Sequence, residues 1–168
     1  VPAEPDLAAE LYETTQAVLS AAGFEAYEVS NHARGRAARS RHNLVYWRGQ
    51  DYLGIGPGAH GRLTTAAGRA ATQTYPDIKA FLTVVEALGH GLEGRETLTP
   101  AEAAEERLLM GLRIDEGVAR AELEPLPLSA LPDLASAGLV RADGQRLYAT
   151  DAGRLVLDRV IAELAAQD

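Results

Sequence analysis

The chain has 168 residues, no cysteine and a formal net charge of −8, with 46% hydrophobic and 24% charged residues. That composition suits a globular chain able to bury its own core, and it excludes disulfides, a thiolate nucleophile and cysteine-held zinc or iron–sulfur clusters. The acidic excess lies mostly after residue 99, so neither half offers the positive field that nucleic acid requires.

Asp6 is placed to cap a helix with apolar positions Leu7, Leu11, Val18 and Leu19 and a stop at Gly23. Phe24 to Ser30 alternates aromatic or β-branched residues with polar ones and predicts a strand. Helix, turn and strand together read as one unit of an α/β layer. Residues 31–41 read as a loop. Arg34, Arg36, Arg39, Arg41 and Arg48 stand without an acid between Val29 and Gln50. Asn43–Trp47 and Tyr52–Ile55 read as short strands, the second ended by glycines.

Thr74 is expected to cap a helix whose buried stripe is Ile78, Phe81, Leu82, Val85 and Leu88, with Gly89 as its stop. Residues 89–98 read as a linker at a domain boundary. Thr99-Pro100-Ala101-Glu102 then opens a helix that buries Leu108, Leu109 and Leu112. A helix over Ser129–Ala137, a hairpin turned by Asp143-Gly144, and a last helix capped by Thr150 complete the chain. The last stripe is Leu155, Val156, Val160, Ile161 and Leu164. This succession predicts a winged-helix-like module. Its candidate recognition helix has no Lys or Arg, which favours a structural or docking role over DNA binding. No run approaches about 18 apolar residues, so no membrane span is predicted. With no signal peptide visible at Val1, the chain reads as cytoplasmic.

Gly54-Ile55-Gly56-Pro57-Gly58-Ala59 fits G-x-G-x-x-A, but no helix pattern follows it. The better reading is a backbone that passes close to a ligand or to another strand. His42 and Tyr46 are both candidate axial ligands of ferric heme. On an extended segment, positions four apart share a face about 13 Å apart, and one flat strand cannot clamp an iron from both sides. Hydrogen bonding is then the commoner role of such a pair. His32, His42, His60 and His90 show no metal-binding spacing, and no self-contained catalytic constellation is present.

Five stretches carry a family signature: A-A-G-F-E-A-Y-E-V-S-N-H-A (21–33), S-R-H-N-L-V-Y-W-R-G-Q-D-Y-L-G-I-G-P-G-A-H-G (40–61), E-R-L-L-M-G-L-R (106–113), A-G-L-V (137–140) and T-D-A-G-R-L (150–155). In this order they resemble the oxygen-independent coproporphyrinogen III oxidase-like family of radical S-adenosylmethionine (SAM) proteins, in its heme-chaperone branch, known as HemW. The resemblance implies a chain of α+β or α/β class. Residues 1–70 would end a partial (β/α)6 barrel, 71–98 would be a helix and linker, and 99–168 a C-terminal winged-helix-like domain.

The resemblance also implies heme contact by His42 and Tyr46, the H-N-x-x-Y motif that separates the chaperones from the true oxidases. Gly54, Ile55 and Gly56 would pass beside SAM on the last barrel strand. The family's C-x-x-x-C-x-x-C motif is absent. The 4Fe–4S cluster and most SAM contacts therefore belong to a longer parent, of which this chain reads as a C-terminal fragment with no enzyme activity of its own. The implied function is to bind heme and deliver it to heme-accepting proteins, with the arginine loop pairing heme propionates. The alternative is a fragment of an oxygen-independent coproporphyrinogen III oxidase, which decarboxylates propionate side chains in porphyrin biosynthesis. Exposed edges of a truncated barrel favour a homo-oligomer.

Overall fold

The computed structural model describes residues 4–166 and begins with a long helix, α1 (Pro5–Ala21). Glu4, not Asp6, occupies its N-cap position, and Asp6 lies in the first turn. Gly23 ends the turn that follows in the left-handed region, at φ 80°. Leu7, Leu11 and Val18 are exposed, so most of the expected stripe of α1 is uncovered.

The predicted strand over 24–30 is shorter and belongs to a hairpin. Strand β1 (Glu25–Glu28) pairs antiparallel with β2 (Asn31–Ala33), inside the region read as a loop. The Glu28 carboxylate turns the chain, accepting the Ser30 backbone N–H at 2.9 Å and the Asn31 amide at 2.6 Å. The expected strand at 43–47 is helix α2 (Arg41–Trp47). Ser40 caps it, its Oγ accepting from the Asn43 N–H. Leu44 points inward and packs with Tyr27, Ala33, Ile114 and Trp47.

Of Tyr52–Ile55, only Tyr52 pairs, in an isolated bridge to Arg62. Gly54–Gly58 is irregular rather than a ladder strand. The sheet that follows has order β3-β4-β5, formed by β3 (His60–Thr65), β4 (Gly68–Thr74) and β5 (Leu92–Thr97). Residues 89–98 are therefore largely an edge strand, not a linker. Helix α3 (Ile78–Leu88) connects β4 to β5 and is capped by Asp77, whose Oδ1 accepts from the Ala80 N–H. Thr74 is instead the buried end of β4. Ile78, Leu82 and Leu88 of the expected stripe are exposed. Every strand pair among the described residues is antiparallel, and no parallel barrel ladder is among them.

The main core is C-terminal. Helix α4 (Pro100–Gly111) starts with the expected capping box of Thr99 and Glu102. It buries Leu108, with Leu112 just beyond its end, while Leu109 is turned outward. Strand β6 (Val118–Ala119), helix α5 (Leu131–Ser136) and strands β7 (Val140–Ala142) and β8 (Arg146–Ala149) follow. The sheet order is β6-β8-β7, one strand more than the predicted hairpin. The hairpin closes through the Asp143 carboxylate, which accepts from the N–H groups of Gln145 and Arg146, rather than through a two-residue Asp-Gly turn.

Thr150 caps α6 (Asp151–Leu155), as expected. The helix then breaks at Val156 and resumes as α7 (Leu157–Ala165). That break re-phases the buried face: Leu155 and Val156 are exposed, and Leu157 joins Val160, Ile161 and Leu164 inside.

Candidate functional site

Helix α2 determines where the two candidate heme contacts go. In a helix, residues four apart lie on one face, one turn apart. His42 and Tyr46 are therefore neighbours. The Tyr46 hydroxyl is 3.3 Å from Nε2 of His42, and the two rings meet edge to face with centroids 4.9 Å apart. The separation expected of an extended segment is corrected by the Ser40 cap and by burial of Leu44, which together make the segment helical. His42 is exposed and Tyr46 half-buried, so the pair sits at the surface.

A third ring completes the row. Tyr52 meets Tyr46 edge to face, with centroids 4.6 Å apart. Burial raises the Tyr52 phenol above its ordinary value, and the Arg62 charge opposes this more weakly. The sequence singled out Tyr52 only as a strand residue. Its role in the row follows from the turn over 48–51, which folds it back onto α2.

The arginine cluster divides. Arg39 and Arg48 are consumed by acids of the C-terminal half. Arg39 makes two bonds to the Asp115 carboxylate, at 3.0 and 2.7 Å. Arg48 makes two to Glu116, at 2.9 and 2.6 Å. Arg34 lies over the Phe24 ring and donates to the Ala22 carbonyl. Arg36 and Arg41 enter none of the ion pairs of the described residues. Arg41 is exposed and directly precedes His42.

The C-terminal half also fixes the far side of α2. Arg107 donates to the Trp47 carbonyl at 3.2 Å and to Glu122 at 2.8 Å. Arg113 lies over the Trp47 ring at 4.8 Å and bonds to the buried Glu28 at 2.9 Å. Burial opposes ionisation of Glu28, but the hydrogen bonds from Asn31, Ser30 and Arg113 outweigh it and hold the carboxyl below its ordinary value. The E-R-L-L-M-G-L-R stretch thus supplies both arginines that grip α2 and its hairpin.

Gly54, Ile55 and Gly56 form a loop two residues beyond Tyr52. A Cβ on Gly54 would collide with the His60 carbonyl, so close backbone approach requires glycine there. The Thr74 hydroxyl donates to the Gly56 carbonyl at 2.6 Å and accepts from the Ala59 N–H at 2.8 Å. Ile55 is 89% exposed, so the loop is an open wall, not an enclosed site. A groove of about 740 Å³ between α1, β1 and α6 is lined by Glu13, Glu25 and Asp151 beside Arg154 and His32. Three carboxylates make it a poor receptor for an anionic ligand. Among the described residues no group of three or more His, Asp or Glu could hold a metal ion.

The HemN C-terminal domain model matches residues 98–156. The mitochondrial "Radical S-adenosyl methionine domain-containing protein 1" of Bos taurus is 40% identical over 181 residues, covering 98% of this chain and 40% of that protein. The "Heme chaperone HemW" of Bacillus subtilis is 32% identical over 160 residues, covering 90% of this chain and 41% of that protein. The protein of the same name from Mycobacterium tuberculosis is 36% identical over 163 residues, covering 96% of this chain and 40% of that protein. The chain thus spans about 40% of the length of these relatives. Coproporphyrinogen III oxidase (HemN) from Escherichia coli, a radical SAM enzyme, shares the fold with a TM-score of 0.62 and 19% identity, over 92% of this chain and 40% of that one.

Proposed function

The chain belongs to the coproporphyrinogen III oxidase-like radical SAM family, in its HemW branch, and from that premise we propose that it carries the heme-contacting segment of a heme chaperone. In this reading Tyr46 is the iron ligand and His42 its hydrogen-bond partner. The contact between the Tyr46 hydroxyl and His42 Nε2 carries the proposal. A phenol binds ferric iron as phenolate, so a proton must leave the hydroxyl. In the tautomer whose Nε2 is unprotonated, His42 is the acceptor placed to take it. The resulting imidazolium then donates a charge-assisted bond to the phenolate oxygen.

Arg41 and Arg36 are the guanidinium groups left for the heme propionates, and guanidinium matches carboxylate geometry. Arg39 and Arg48 serve instead to hold α2 in place. The heme held here would pass to heme-accepting proteins. An exposed, single-faced site suits cargo that must leave again better than a buried clamp does.

The parent's 4Fe–4S cluster finds no donors in this chain, which has no cysteine. No radical step is therefore derived through these residues. Gly54, Ile55 and Gly56 are read as one wall of the parent's SAM site, and SAM there would supply the adenosyl group of radical chemistry. Residues 99–168 are read as the winged-helix-like domain, with residues 1–70 belonging to the barrel end. No helix of the described residues is long and apolar enough to cross a membrane. The compartment is read as cytoplasmic, with mitochondria as its counterpart in eukaryotes that carry mitochondrial relatives.

The test is transfer. Hemin is titrated into the chain, and the loaded chain is then mixed with an apo heme protein. Saturable Soret binding followed by transfer is expected. Absence of saturable binding contradicts the proposal. Product formation from coproporphyrinogen III by the full-length protein would favour the oxidase.

A further inference from the structure

The row of rings does not end at the His42–Tyr46 pair. Tyr52 stands beside Tyr46, and its backbone is fixed by the sheet. It exchanges two backbone hydrogen bonds with Arg62, at 2.8 and 2.9 Å. Gly61, beside that bridge, is buried so tightly that a Cβ would sit 3.1 Å from the Tyr52 carbonyl oxygen. Arg62 is in turn tied to Glu106 of α4 at 2.6 Å, and Arg69 of β4 reaches the same carboxylate at 3.1 Å. On the other side of Tyr52, the Asp51 carboxylate accepts the Thr64 N–H at 2.8 Å. The ring of Tyr52 therefore projects from a fixed point of the sheet.

Tyr46 lacks such anchorage. Apart from its ring contact with Tyr52, its side-chain partner is the exposed His42. A tyrosine on a helix surface has more than one staggered χ1 choice. The edge-to-face contact with Tyr52 favours the one that brings the hydroxyl to His42. We propose that Tyr52 is the positioning residue of the His42–Tyr46 pair, and that it ties the orientation of this pair to the Gly54–Gly56 loop two residues on. The inference rests on the heme reading for its consequence, but the ordering of Tyr46 is a property of the ligand-free chain.

The experiment compares the full chain with Tyr52→Phe, Tyr52→Leu and Tyr52→Ala, with and without hemin. Without hemin, side-chain couplings and ring signals of Tyr46 are read by nuclear magnetic resonance. One rotamer is expected in the parent chain and in Tyr52→Phe, and rotamer averaging in Tyr52→Leu and Tyr52→Ala. Tyr52→Leu keeps most of the bulk, so it reports if Tyr52→Ala does not fold. With hemin, Tyr52→Leu should bind about threefold to tenfold more weakly, the scale of one aromatic pair. It should also lose intensity in the phenolate-to-iron absorption, which Tyr52→Phe restores. A single, unchanged Tyr46 rotamer in Tyr52→Leu overturns the inference. If the parent chain shows no phenolate absorption while Tyr46 becomes averaged in Tyr52→Leu, the ligand assignment falls and the positioning role stands.

Discussion

The Tyr46 hydroxyl and Nε2 of His42 face each other at 3.3 Å across one turn of α2. Removing the imidazole leaves the phenol without the ring nitrogen placed to take its proton. His42→Ala is therefore expected to weaken hemin binding by about tenfold, the scale of one charge-assisted hydrogen bond. It should retain the phenolate absorption at saturation, which a visible-range titration checks.

Arg41 precedes His42 and enters none of the ion pairs of the described residues. If it meets a propionate, Arg41→Ala weakens hemin by about threefold at low salt, within the modest range of exposed ion pairs. Hemin dimethyl ester, which has no propionate charge, should bind both chains equally. Salt should reduce the difference for free hemin.

Acid should release the grip on α2. Glu28 and Glu116 both have carboxyl groups held below their ordinary values. For Glu28, burial is outweighed by hydrogen bonds from Asn31, Ser30 and Arg113; for Glu116, the bond from Arg48 leads. A depressed folded value stabilises the fold above the ordinary carboxylate range and loses that contribution as pH falls through the folded value. Stability is expected to fall below about pH 4.5. Glu28→Gln should flatten that decline and cost about 1–3 kcal/mol at neutral pH, since Arg113 loses its buried partner. Denaturant melts across the pH series check both.

Gly153 sits where α6 crosses the start of β7, its N–H capped by the Thr150 hydroxyl. A methyl there would drive into the Leu139 carbonyl. Gly153→Ala is expected to cost about 2 kcal/mol or more, because backbone must move. Gly144→Ala, with open space around it, should change little. Thermal melts of the two variants separate them.

The C-terminal half was legible because its punctuation is local. The Thr99–Glu102 capping box, the Thr150 cap and Gly138 at φ 71° each act within a few residues. The family signature over 40–61 pointed to His42 and Tyr46, but their geometry was not legible. Val45, Tyr46 and Trp47 favour strands on propensity, and what overrides them is the Ser40 cap with Leu44 buried against Ile114, a partner 70 positions away. Strands β3, β4 and β5 gave no signal for a related reason. Their residues are small, polar or exposed, and β5 is exposed throughout, so no alternation marks them. Pairing alone makes them strands. The fate of Arg39 and Arg48 was equally hidden, since Asp115 and Glu116 reach them only through the tertiary fold.

Whether Tyr46 is the iron ligand is read most directly by resonance Raman spectroscopy of the hemin complex. Iron–phenolate modes are expected in the unmutated chain and lost in Tyr46→Phe, with hemin binding at least about tenfold weaker. A Tyr46→Phe chain that binds hemin with unchanged affinity and an unchanged spectrum would contradict it.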